Sequence, residues 1–109
     1  INEPTFPGCV MEVKPIGVFH MADDKGPDEK IICVPVSDPI WNSLNNLSDI
    51  NPHLLKEIEH FFQVYKDLEN KQVDVEGWGD VNEAYAIIKE CTERFDQIEN
   101  KPEGLFSIK

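Results

Sequence analysis

Asp23, Asp28 and Lys30 fall within one acidic stretch, Met21-Ala22-Asp23-Asp24-Lys25-Gly26-Pro27-Asp28-Glu29-Lys30, and their types could do chemistry together. On a fully extended chain the Cα atoms of Asp23 and Asp28 would lie about 17 Å apart. Carboxylates serving one Mg²⁺ cluster must come far closer, because oxygen ligands sit about 2.0 to 2.1 Å from the ion. The stretch must therefore fold back. Gly26-Pro27 supplies the reversal, since glycine takes a positive φ freely and proline fixes its own. Lys30 then opens the next apolar run as a cation beside hard oxygen ligands, a combination that suits a metal-bound phosphate better than a bare metal or a bare anion. A solvated turn between two strands accounts for the same residues without chemistry. Further along, the Tyr65 hydroxyl and the Lys66 ammonium could reach one phosphate together. The alternative there is a snorkelling lysine beside a core tyrosine.

The hydrophobic pattern indicates which elements hold these groups. Residues 1–8 carry two prolines and read as an entering arm. Cys9 to Lys14 alternates as a strand, with Pro15 at its edge or end. Residues 16–21 and 30–36 give a second and a third strand. Ile31-Ile32-Cys33-Val34 has no polar face, so it needs cover on both sides, from a closed barrel interior and a helix. Ser37-Asp38-Pro39 is a helix-start signal for a short turn over 39–43, and 45–49 reads as polar connector. Asn51-Pro52 is a stronger start. From it Leu54, Leu55, Ile58, Phe61, Phe62, Tyr65 and Leu68 form the stripe of an amphipathic helix of about 17 residues. Val73 and Val75 mark a short strand, and Gly77-Trp78-Gly79 a turn with an aromatic plug. Asp80 with Glu83 forms a capping-box-like pair that opens a second helix. Its stripe is Val81, Ala84, Tyr85, Ile88, Cys91, Phe95 and Ile98. Beyond Glu99 the pattern lapses into a tail whose Leu105, Phe106 and Ile108 could dock on a neighbour.

The 109 residues suffice for one small domain. Ten basic and 21 acidic residues give a formal net charge of −11, which argues against binding a nucleic-acid backbone or an anionic membrane surface. A phosphate substrate is compatible with that charge, because a bound divalent cation inverts the sign of an acidic pocket. Cys9, Cys33 and Cys91 are odd in number and set in apolar runs, so they read as small buried hydrophobes in a reducing compartment, with no disulfide frame or zinc spacing. No apolar run approaches the 18 or so residues of a membrane span. The chain opens at Ile1 without methionine, as a processed product or a piece of a longer protein would.

The stretch from Met21 to Lys30 resembles the M-x-D-x-x-G-x-D-x-K-type segment of the soluble family I inorganic pyrophosphatases, with the spacing Asp23, Gly26, Asp28, Lys30. His60-Phe61-Phe62-Gln63-Val64-Tyr65-Lys66-Asp67-Leu68-Glu69, followed by Val73-x-Val75-Glu76-Gly77-Trp78, resembles a second motif of that family, in the right order. The resemblance covers roughly residues 6 to 95. It implies that Asp23 and Asp28 bind metal, that Lys30 touches the substrate or product phosphate, and that Tyr65 and Lys66 hold phosphate. It further implies Mg²⁺-dependent hydrolysis of pyrophosphate to two orthophosphates, by in-line attack of a metal-bound hydroxide. The implied fold is α+β: an OB-like closed β-barrel with two flanking α-helices, of which this chain holds part. A homo-oligomer follows, a hexamer ahead of a dimer, with His60 at a position that bacterial-type members place at a subunit contact. The compartment implied is the cytoplasm, with an organelle left open.

One departure from the family is large. The D-x-D-P-x-D motif, which supplies further metal ligands and the water-activating aspartate, is absent from this sequence. So are earlier glutamate, lysine, arginine and tyrosine positions. The chain therefore reads as the carboxyl-terminal portion of a single pyrophosphatase domain: 1–36 barrel strands and acidic loop, 51–99 helical part, 100–109 tail. No catalytic residue is expected within it, and alone it should be nearly inactive, because a two-metal site lacking most ligands cannot hold its ions. The rival readings are a divalent-cation-binding module using Asp23, Asp24, Asp28 and Glu29, which the lack of an EF-hand pattern weakens, and an acidic interaction module. His20, His53 and Trp41 and Trp78 read as solvated, interface or packing residues.

Overall fold

The structure is a computed structural model that describes residues 4–98. The expected tail, 100–109, lies outside the described residues. Two antiparallel strands, β1 (Val13–Asp23) and β2 (Gly26–Pro35), form a hairpin whose last pair is Asp23 with Gly26, so the loop is Asp24-Lys25 alone. Gly26, at φ +118°, takes the left-handed conformation that the reversal requires. A third strand, β3 (Asp74–Gly79), pairs antiparallel with the other side of β1, giving an open three-stranded sheet in the order β2-β1-β3. With helices α1 (Pro52–Tyr65) and α2 (Val81–Asp96), the class is α+β.

Side chains alternate across a strand, so Phe19, Met21 and Asp23 share one face with their cross-strand neighbours Asp28, Lys30 and Trp78. That face receives α1. Phe19 is fully buried, stacked on Phe62 of α1 at 5.6 Å and tilted against Trp78 at 4.7 Å between ring centroids. The opposite face, with Val18, His20, Glu29 and Ile31, receives α2, whose Ala84 is fully buried. At the far end of the hairpin Ile16, Val34 and Ile50 make a core patch, against which Trp41, Leu44, Leu47, Leu54 and Leu55 pack.

Several elements differ from the sequence reading, each for a local reason. β1 is one strand running through Pro15, and residues 9–12 are outside it. Pro15 is tolerated because β1 pairs only with β2 at that point, beside an irregularity between Pro15 and Gly17. Gly77-Trp78-Gly79 lies within β3 and is no turn. Gly77, at φ +113°, absorbs the register shift opposite His20 and Met21. A Cβ on Gly79 would run into the Glu83 carboxylate and come within 2.8 Å of Val18 Cγ1, so only glycine fits there. Residues 39–43 are turns without a helix, with Asp38 accepting from the backbone N–H of Ile40, whereas the expected connector holds a 3-10 turn, Leu47–Asp49, capped by Asn46. Helix α1 ends at Tyr65 and a 3-10 turn follows over Asp67–Glu69, which leaves Leu68 89 % exposed and off the stripe. All three cysteines are free and exposed, against the expectation of burial. Cys9 precedes β1, and Cys91 stands on α2 beside an uncovered groove, so neither is sealed by a second layer.

Candidate functional site

The hairpin tip and the end of α1 meet on the α1 face of the sheet. Asp23 is the last residue of β1, and its side chain is fixed at both oxygens. Oδ1 accepts the backbone N–H of Lys25 at 2.9 Å, the local turn bond that an aspartate makes two residues on, and Oδ2 faces Lys66 Nζ at 3.5 Å. The two side chains are 11 % and 15 % exposed, so this ion pair is largely withdrawn from solvent. The backbone donor is the largest influence and, together with Lys66, holds the Asp23 carboxyl below the usual aspartate range, although burial opposes it more strongly than the Lys66 charge by itself favours it.

Asp28 lies diagonally across the hairpin from Asp23, a relation in which Cα atoms stand about 7–8 Å apart. The fold-back expected from Gly26 therefore brings both carboxylates to one face. Asp28 Oδ2 is 3.0 Å from Lys30 Nζ, two residues along the same strand face, in a pair about one-third exposed. The Lys30 ammonium also stands 5.7 Å from the centroid of the Phe62 ring. Lys66 is the capping residue at the end of α1, and its ammonium is 5.7 Å from the Tyr65 ring. Tyr65 is 43 % exposed and stacks on Phe61 at 5.7 Å, bordering the lysine. Asp24 occupies the exposed tip, with no contact to this pair of pairs among those described.

Two features were missed from the sequence. Phe62 joins the two halves, touching Phe19 and lying under Lys30, and its only signal was its place on the helix stripe. The Lys25 N–H that orients Asp23 could have been read from the Asp-x-Lys turn.

Among the described residues no group of three or more His, Cys, Asp or Glu side chains could hold a metal ion. Asp23 and Asp28 make a pair of hard oxygen donors, and this suits Mg²⁺ in one particular respect. Mg²⁺ keeps several waters and is commonly bound through one or two carboxylates plus substrate phosphate. The residues present thus fit a share of a Mg²⁺–phosphate site, with two lysines already poised beside the carboxylates. Histidine is placed elsewhere: His20 Nε2 is 3.2 Å from Glu83 Oε1 on the α2 face, and His53 pairs with Glu57 on α1 at 3.0 Å.

The family model described as inorganic pyrophosphatase matches residues 1–96. An inorganic pyrophosphatase of Methanosarcina mazei is 53 % identical over 95 residues, covering 87 % of this chain and 56 % of that protein. One from Synechocystis is 41 % identical over 95 residues, again 87 % and 56 % of the two chains. Among solved structures, the inorganic pyrophosphatase of Thermus thermophilus superposes with a TM-score of 0.82 at 35 % identity, over 87 % of this chain and 56 % of that one. That of Helicobacter pylori gives 0.84 at 32 % identity, over 88 % and 58 %. The chain spans about half the length of the relatives it matches.

Proposed function

This chain belongs to the inorganic pyrophosphatase family, and from that premise we propose that the complete protein hydrolyses inorganic pyrophosphate to two orthophosphates with Mg²⁺, this chain supplying one part of the site. The observation that carries the reading is the meeting of Asp23 with Lys66 and Asp28 with Lys30 on one face of the sheet. Asp23 and Asp28 would hold Mg²⁺. The ion, when bound, lowers the pKa of water and neutralises charge on the attacked phosphorus and its leaving group. Lys30 and Lys66 hold phosphate by charge, and the Tyr65 hydroxyl donates to it. Phe62 keeps water from one side of Lys30, which strengthens that charge. The aspartate that activates water belongs to the D-x-D-P-x-D motif, which this sequence lacks, so this chain alone is nearly inactive.

The whole domain, of which residues 1–109 are the carboxyl-terminal portion, is proposed to be an OB-like closed barrel. The support is that β2 and β3 are both sheet edges among the described residues, and edges invite pairing. Residues 1–36 would give barrel strands and the acidic loop, 51–99 the helical part and 100–109 the tail. Exposed Phe61 and Val64 on α1 and Leu68 just beyond it support a homo-oligomer, and the family resemblance puts a hexamer ahead of a dimer. Three free thiols suit a reducing compartment such as the cytoplasm.

Colorimetric phosphate release from pyrophosphate by the complete protein is the test. Release that needs Mg²⁺ and stops with chelator is expected. An inert complete protein whose acidic hairpin binds Ca²⁺ tightly would favour the cation-binding module instead.

A further inference from the structure

We infer that Lys66 and Lys30 are stand-in counter-ions, each occupying a metal-ligand carboxylate until a divalent ion takes it, and then passing to the phosphate, so that metal and phosphate bind with positive coupling. The inference rests on the assignment of Asp23 and Asp28 as Mg²⁺ ligands made above.

The geometry separates the two oxygens of Asp23. Oδ1 is tied to a backbone N–H, a partner that cannot leave without opening the hairpin loop, whereas Oδ2 faces only an ammonium on a flexible stem. Oδ2 is thus the atom that can change partner while the carboxylate stays aimed. A carboxylate 11 % exposed needs a compensating cation in the free protein, and Lys66 provides it. A divalent ion must displace that cation, which weakens binding of the ion by itself. The released ammonium, 15 % exposed in its pair, then needs an anion of its own. Phosphate supplies it. Asp28 and Lys30 repeat the arrangement at 3.0 Å in a more exposed setting, where the exchange costs less. By linkage, phosphate must raise Mg²⁺ affinity by the same factor that Mg²⁺ raises phosphate affinity.

The test is calorimetric titration of Mg²⁺ into the complete protein, with and without inorganic phosphate, with circular dichroism to establish folding. Lys66→Met is expected to raise Mg²⁺ affinity in the absence of phosphate by about threefold to tenfold and to abolish most of the gain that phosphate gives the wild type. Lys25→Gln removes a second charge that acts on Asp23, more weakly than Lys66, but keeps the backbone donor, and is expected to change Mg²⁺ affinity by less than about twofold. Unchanged or weaker Mg²⁺ binding in folded Lys66→Met overturns the inference, as does an equal gain in Lys25→Gln, which would mean a general field and no exchange of partners. Should Lys66→Met not fold, Lys30→Met is expected to show the same gain in smaller measure, and its absence counts against the idea. A wild type that binds no Mg²⁺, or an Asp23→Asn variant that binds it equally well, defeats the metal assignment itself.

Discussion

Asp23 has both oxygens engaged, one by the Lys25 N–H and one by Lys66, and both favour its ionised form. The sign of the pH effect follows. With the folded value below the unfolded one of about 3.9, the contribution to stability is complete above that value and is lost as pH falls through the lower folded value. Acid unfolding of the wild type should therefore steepen below about pH 4, and an Asp23→Asn variant should show a flatter profile there. Identical profiles would count against the interaction. Asp28 and Asp24 make a sharper comparison, since these two aspartates stand only four positions apart on the same hairpin. If the complete protein has the proposed activity, Asp28→Asn should raise the Mg²⁺ concentration for half activity by about tenfold or more and lower turnover, while Asp24→Asn at the exposed tip should do little. Equal effects would undo the assignment. Residue types carry the fold-back: a glycine between the two carboxylates implies a reversal that sets both on one face, while a solvated turn accounts for the same residues. The cysteines misled, because a thiol reads as apolar wherever its neighbours do, and exposure depends on whether a second layer covers the strand or helix.

At the scale of elements, the start of α2 was legible in full. Asp80 accepts the Glu83 N–H at 3.0 Å and Glu83 Oε2 accepts the Asp80 N–H at 3.3 Å, a reciprocal pair predicted by the spacing alone. Asp80→Ala should cost about 0.5–2 kcal/mol, read as a lower denaturant midpoint with unchanged slope. Glu83 also faces His20, so it fastens α2 to the strand as well as to its own first turn. Pro15 lies at an edge, as one of its two readings has it, but inside β1 and not at a strand end, and the glycines around Trp78 lie in β3 and not in a turn. Here a sheet edge accommodates the proline, and a bulge and a tight helix–strand contact require the glycines. Those are facts about neighbours distant in sequence, which a local pattern does not contain. Leu68 lies past the helix for the same kind of reason: after Lys66 the chain tightens into a 3-10 turn and the helical periodicity no longer applies.

For the whole molecule, the distribution of uncovered apolar surface matters more than any single contact. Phe61 at 56 %, Val64 at 42 % and Leu68 at 89 % exposure lie along and just beyond α1, on a chain whose net charge of −11 otherwise keeps copies apart. If these residues seal a contact between subunits, Phe61→Glu in the complete protein should lower the mass measured by light scattering to that of a smaller assembly. An unchanged mass would assign their cover to another part of the same subunit.

The hairpin loop of two residues has a consequence of its own. Strand positions come in odd and even sets, and the count between Asp23 and Asp28 decides that both belong to the same set. One residue inserted after Asp24, if the loop kept its two residues, would send Asp28 and Lys30 to the α2 side while Asp23 stayed beneath Lys66. Every side chain would survive such a change and the pairing of acids would be lost, whereas two inserted residues would restore it. The chemistry of this hairpin is therefore kept by parity as much as by the identity of its amino acids.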